Sequence, residues 1–314
     1  MEYRNLGNSG LQVSIVGLGC NNFGRRCDAD ATAAIVNKAL DLGVTLFDTA
    51  DVYGPRGLSE EYLGLALKGK RQAVIVATKF ASPMGEGPFM AGGSRRYIIN
   101  AVEASLKRLG TDYIDLYQIH RPDPKTPIEE TMRALDDLVR SGKVRYIGHS
   151  NFSGWQTAQA HYIAKAEHLT PFISAQNQYN LLERGVEADL VPSCKEFGVS
   201  ILPFFPLASG FLTGKYRKGE PMPEGARLTA MGPAAERMLN DRNWQTLQGL
   251  SEFAEARGHT MLDLAIGWLA SLPYVGSVIS GATKPEQVEQ NVAAGEWHLT
   301  ADELAEVDKI ARRR

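Results

Sequence analysis

Eight short apolar segments, each followed by a stretch of helical character, constrain the fold more than any other feature of the 314 residues. They occupy residues 16–19, 44–47, 74–78, 114–119, 144–148, 172–175, 199–202 and 275–279. Their length and β-branched content suit buried strands. Between them lie amphipathic faces: Ile35, Val36, Ala39 and Leu40; Ile99, Val102, Leu106 and Leu109; Met132, Leu135 and Leu138. This alternation, without a linker-like break, predicts one (β/α)8 TIM barrel over residues 1–314. An N-terminal β-hairpin around Asn8-Ser9-Gly10 and extra helices complete it. A doubly wound sheet would need fewer strands or a second domain, and no boundary is visible.

Local signals set the helix starts. Ser59 is the expected cap of a helix reaching residue 67. Thr126 and Glu129 have capping-box spacing with Pro127 at the first helical position, and Thr283-Lys284-Pro285-Glu286 repeats that arrangement. Thr300 and Glu303 open a last helix. The final strand is read as ending at Ile279.

Charge and composition narrow the function classes. A formal net charge of −2 gives no electrostatic reason to expect nucleic acid or an anionic membrane. The basic Arg312-Arg313-Arg314 tail is too short to alter that. Cys20, Cys27 and Cys194 are odd in number and lack metal-ligand spacing, so reduced thiols in a cytoplasmic protein are expected. No signal-peptide core opens the chain, and no apolar run approaches the ~20 residues of a membrane-spanning helix.

The strand ends carry the chemistry. Asp48 ends the second strand and Tyr53 follows in its loop; Lys79 and His120 end the third and fourth. Ser150-Asn151 and Gln176-Asn177 end the fifth and sixth. In such a barrel these ends meet at one face. Any single polar residue there could simply meet water, but an ordered set of Asp, Lys and His is a rarer thing at buried ends. Tyr53 could give a proton to a substrate oxygen, although a free phenol has a pKa near ~10. A nearby Lys79 ammonium is expected to lower it, with Asp48 keeping Lys79 charged and His120 orienting the oxygen. None of the four is a redox group, so a reduction requires a cofactor.

Six stretches together resemble the aldo-keto reductase family: residues 43–54, Thr78-Lys79, 113–120, 142–152, 206–216 and 280–287. They follow family order over nearly the whole chain. The resemblance implies NAD(P)H-dependent reduction of an aldehyde or ketone on a (β/α)8 barrel. It makes Tyr53 the general acid, tuned by Lys79 and Asp48, and gives His120 the carbonyl. It assigns Ser150, Asn151 and Gln176 to the nicotinamide carboxamide. Phe204 stands where many members have a stacking Tyr, which keeps the ring and loses the hydroxyl. Leu207, Ser209, Gly210, Leu212 and Lys215 match the pyrophosphate segment. Gly281, Thr283, Lys284, Gln287 and Asn291 match the 2′-phosphate and adenine site, with Lys284 at a helix start, which favours NADPH over NADH.

The substrate is less legible. Phe23, Arg121 and Phe152 are candidate substrate contacts, together with the loops at 84–90 and 207–236. Small-molecule carbonyl compounds are the expected partners, and oligomeric state stays open. An alternative function is an NADPH-binding sensor module resembling potassium-channel β subunits. A metal hydrolase built on Asp48, His120 and His149 lacks an HxH pair or a carboxylate-rich ligand set, so no metal is expected. Gly17-Leu18-Gly19 lacks GxGxxG spacing, because the next glycine is Gly24. Tyr162 and Lys165 are one residue too close for a Tyr-x-x-x-Lys pair.

Overall fold

Short strands with two apolar faces need cover inside and out, and a closed ring of parallel strands under helices supplies both. The computed structural model describes residues 1–223 and 228–312. Residues 224–227 of the long loop, and Arg313 and Arg314 of the basic tail, lie outside the described residues.

A hairpin of β1 (Tyr3–Asn5) and β2 (Gln12–Ser14) precedes the barrel. The barrel strands are β3 (Val16–Gly19), β4 (Leu46–Asp48), β5 (Ile75–Phe80), β6 (Ile114–Ile119), β7 (Val144–Ser150), β8 (Phe172–Gln176), β9 (Ser200–Ile201) and β10 (Val278–Gly281). They pair in parallel in the order β10-β3-β4-β5-β6-β7-β8-β9. The seam between β9 and β10 is irregular. Ile201 N donates to Tyr274 O at 2.8 Å, Gly276 N to Ile201 O at 2.9 Å, and Ile279 N to Pro203 O at 3.1 Å.

Helices α1 (Ala29–Asp41), α2 (Leu58–Ala66), α3 (Arg95–Leu109), α4 (Ile128–Arg140), α5 (Gly154–Glu167) and α6 (Leu190–Phe197) return the chain between the early strands. The long loop after β9 holds the short α7 (Pro233–Glu236) before α8 (Asp241–Glu255) and α9 (Met261–Ala270); α10 (Pro285–Ala294) and α11 (Ala301–Ala311) follow β10. No described helix is long and apolar enough to cross a membrane.

Strand alternation sorts the side chains. Leu46, Ala77 and Leu116 belong to an apolar interior cluster with Ile173, Leu202 and Ile279, and the hairpin's Leu6 and Val13 join it. Phe47, Val76 and Tyr117 pack in the outer core with the helices. Two residues beyond Leu46, Ala77 and Leu116 come Asp48, Lys79 and Gln118, so the same alternation stacks a polar layer above the apolar one. On β8 the phase slips. A register shift at Ile147/Gly148 skips Ile173, so Ile173 joins the apolar cluster while Gln176, three residues on, reaches the polar layer.

Several expected boundaries move. β10 begins at Val278 rather than residue 275, because residues 274–276 are spent on the seam with Ile201. Ser59 does not cap α2; it lies within it, and its hydroxyl donates to Cys20 O at 2.8 Å and pairs with Thr49 Oγ1 at 2.8 Å. Gly57, with φ of 84°, fills the cap position instead. Thr126 bonds Asp123 rather than a helix N–H, and Pro127 caps α4 without a side-chain bond. Lys284 is the cap residue of α10, and Thr283 turns to Gln287 Oε1. Thr300 and Glu303 do form a capping box.

Gly64 sets the approach of α2 to the end of α3. A Cβ added there would sit 2.4 Å from Leu109 O, a backbone atom with little room to yield. Gly64→Ala should therefore lower stability by about 1–3 kcal/mol, read as a lower urea midpoint with unchanged slope.

Candidate active site

The polar layer opens into a cleft of about 1080 Å³ at the C-terminal ends of the strands. Behind its floor, Lys79 is fully buried and bonds Asp48 Oδ2 at 2.6 Å and Thr49 O at 2.8 Å. Asp48 Oδ1 accepts from Gln176 Nε2 at 2.8 Å and from Gln118 Nε2 at 3.2 Å. Burial alone would discharge Lys79, but Asp48 and then Tyr53 outweigh it and hold its pKa above that of an ordinary lysine. The ammonium is thus a fixed charge at neutral pH.

Tyr53 lines the cleft with the Lys79 ammonium 5.0 Å from its ring centroid. The expectation that Lys79 lowers the Tyr53 pKa needs correction in its net result. Burial of the hydroxyl dominates and raises the value; Lys79 pulls it down, and Asp48 pushes it back up. Tyr53 is therefore a protonated phenol in the unliganded cleft. His120 meets it edge-on, with ring centroids 5.7 Å apart. Burial, then Lys79 and Arg121, lower the His120 pKa to about 3, so its imidazole is neutral. Its Nδ1 lies 3.2 Å from Ser82 Oγ.

Outside the cleft wall, Asp51 is 1% exposed and its pKa is pushed up to about 7 by burial and then by Glu60. Its Oδ2 accepts from Tyr97 Oη at 3.4 Å, while among the described residues Oδ1 has no hydrogen-bond partner. Glu60 itself is ion-paired with Arg108, with Nε 2.6 Å from Oε2.

The sequence of residues 15–312 matches the model of the aldo/keto reductase family. The chain belongs to the aldo/keto reductase family. Among similar proteins is L-glyceraldehyde 3-phosphate reductase of Escherichia coli K12, 38% identical over 98% of this chain and 92% of that protein. A probable voltage-gated potassium channel subunit beta of Oryza sativa is 40% identical over 94% of this chain and 91% of its own length. Versiconal hemiacetal acetate reductase of Aspergillus parasiticus is 36% identical over 97% and 95%.

In this aldo/keto reductase the residues singled out from the sequence divide by placement. Ser150, Asn151, Gln176 and Phe204 line the cleft near the polar layer. Asn151 adopts a left-handed conformation, with φ of 61°, and its Nδ2 donates to His120 O at 2.9 Å. Leu207, Ser209, Gly210 and Lys215 line the next part of the wall. There the backbone is unusual, because Phe205, Ala208, Ser209 and Gly210 all have positive φ. Leu212 differs: its side chain is fully buried in the core and only its backbone serves this segment. Gly281, Thr283, Lys284, Gln287 and Asn291 line the far end.

The proposed substrate contacts fare otherwise. Phe23 is fully buried in the outer core. Phe152 is 3% exposed, stacked on His149 at 4.7 Å and edge-on to Phe172. Neither is among the residues lining the cleft, because both rings are taken up in the outer core. Arg121 is exposed and also stands off the lining, although its charge reaches His120. His149 faces away from the polar layer; its Nε2 pairs with Thr157 Oγ1 at 3.2 Å, so Asp48, His120 and His149 do not converge.

Sequence reasoning missed Gln118, Ser82 and Arg26. Gln118 had a signal, being a polar residue two before the end of an apolar strand and in phase with Leu116. Arg26 lines the cleft from the loop after β3, and burial followed by the Arg26 charge holds Lys215 below the usual lysine range.

Proposed function

We propose that the protein reduces the carbonyl group of an aldehyde or ketone, with NADPH as the source of reducing equivalents. One observation carries this reading: Tyr53 and His120 share the cleft surface, and Lys79 paired to Asp48 stands directly behind them. The donor set also fits the dinucleotide. Phe204 offers a ring face to nicotinamide, and Ser150 and Asn151 offer polar groups to its carboxamide. The amide nitrogen of Gln176 already serves Asp48, so its oxygen is what remains for that carboxamide. Lys215, beside Leu207, Ser209 and Gly210 on the cleft wall, suits a pyrophosphate, with Leu212 packed in the core behind them. Lys284, Thr283, Gln287, Gly281 and Asn291 surround the start of α10, where a 2′-phosphate is favoured.

When bound, NADPH supplies the hydride that these side chains lack. The protein's own part is proton and charge management. His120 holds the carbonyl oxygen, Tyr53 gives it the Oη proton as negative charge develops, and the Lys79 charge stabilises the tyrosinate left behind. Asp48 keeps Lys79 charged within a buried site.

The test is loss of NADPH absorbance with activated aromatic aldehydes, which demand little of pocket shape. Turnover is expected. NADPH binding without turnover across a broad carbonyl panel would instead favour a nucleotide-sensing module, a reading that draws on the relative named as a potassium channel subunit beta. Lys284→Ala should raise the KM for NADPH about 10- to 100-fold and leave that for NADH unchanged, because one charge-assisted phosphate contact is lost. Equal effects on both cofactors would remove the 2′-phosphate assignment.

A further inference from the structure

We propose that Ser82 is a positioning residue for His120, its hydroxyl donating to Nδ1 and so fixing the tautomer that carries its proton on Nε2. The inference rests on the carbonyl-reductase reading above. Ser82 lies in the loop after β5 and is 2% exposed. Among the described residues its hydroxyl makes one hydrogen bond, the 3.2 Å contact to His120 Nδ1. Either atom could be the donor there, and burial decides between them. If Nδ1 donated, the Ser82 hydroxyl proton would be left in the interior without an acceptor. If Ser82 donates, only oxygen lone pairs stay unused, a smaller loss. Nε2 then bears the proton and belongs to a residue lining the cleft, while the ring's hydrogen bond among the described residues is made at Nδ1. A neutral histidine can donate to a carbonyl oxygen from Nε2 only in that form.

The surroundings hold Ser82 in place. Ala81 before it has φ of 85°, a conformation that a residue with a Cβ rarely keeps without restraint. The restraint is visible on both sides: Gly92 N donates to Ala81 O at 3.1 Å, and Tyr97 Oη lies 3.3 Å from Ser82 O. Tyr97 is 4% exposed in the first turn of α3, whose cap Ser94 accepts from Tyr97 N. The main chain of His120 is held as well, since its carbonyl accepts from Asn151 Nδ2 at 2.9 Å.

The experiment pairs nitrogen NMR of the full-length protein, labelled at histidine, with steady-state kinetics. Wild type should show His120 as the Nε2–H tautomer, with Nδ1 shifted by an accepted hydrogen bond. Ser82→Ala should abolish that shift, mix the tautomers and lower kcat about tenfold, with the KM for NADPH unchanged. Ser82→Thr should restore both. An Nδ1–H tautomer in wild type would overturn the proposal, as would a Ser82→Ala protein with an unaltered His120 spectrum. Absence of turnover in wild type would count against the reductase reading alone, because the tautomer is read without any substrate.

Discussion

Tyr53→Phe should lower NADPH-dependent carbonyl reduction by about 10²- to 10⁴-fold, the range of a lost general acid. The substitution removes one hydroxyl from the cleft surface and leaves the ring beside Lys79. Affinity for NADPH should stay within a few fold, because the residues proposed to hold the cofactor are others. The direction of the Tyr53 shift matters to the pH profile. Burial keeps the phenol protonated beyond its ordinary range, so the acid is fully loaded at neutral pH and the reductive rate should be flat there, declining only in strongly alkaline solution. An undiminished rate in Tyr53→Phe would show that the proton comes from elsewhere. The measurement is NADPH absorbance against time, with cofactor binding followed separately by fluorescence.

Asp51→Asn should make the protein more stable at pH 8 by an amount on the order of 4 kcal/mol, and leave it nearly unchanged at pH 4. The folded pKa of about 7 stands well above the ordinary carboxylate value. The folded protein therefore holds a proton between about pH 4 and 7 that the unfolded chain has released. Stability from this group is complete below the unfolded pKa and is lost as pH rises through the folded one. Glu60, Arg108, Tyr97 and Tyr117 are the charged and titratable groups around it, and Arg108 already answers Glu60. His120 and His149 work the other way. Both are lowered to about 3, so they cost stability as pH falls below the ordinary histidine value. The opposing slopes overlap near pH 4–6.5 in wild type. The difference between wild type and Asp51→Asn, from urea unfolding at each pH, isolates the carboxyl. A difference that does not change with pH would mean that Asp51 is ionised in the fold.

The barrel was legible because its strands repeat one local grammar, an apolar run that ends in a polar residue on the inward phase. Asp48, Lys79 and His120 could be placed together from topology alone. What failed needed three-dimensional neighbours. Ser59, Thr126 and Thr283 look like helix caps in one dimension, yet each hydroxyl finds another partner across a loop or a turn. Phe23 and Phe152 read as substrate contacts in one dimension, but both rings are buried in the core off the cleft lining. The sign of the Tyr53 shift depends on burial competing with Lys79, and burial is not written locally in the chain. Gln118 and Ser82 act through side chains brought from other strands and loops, so their partners become visible only in the assembled layer.

The hairpin under the barrel carries a consequence for how the chain is made. Tyr3 and Ser14 bond Gly43 and Thr45, but its other anchors are late in the sequence: Gly7 N donates to Ser200 Oγ, Asn8 N to Gly198 O, and Arg4 to the carbonyls of Leu272 and Val275. The hairpin precedes the barrel strands in the chain, so its seat is incomplete until those residues have emerged. A two-stranded hairpin is marginal in water by itself. Leu6 and Val13 must therefore wait, exposed or loosely covered, through most of synthesis. The hairpin can seat fully only once the last strands of the ring are in place.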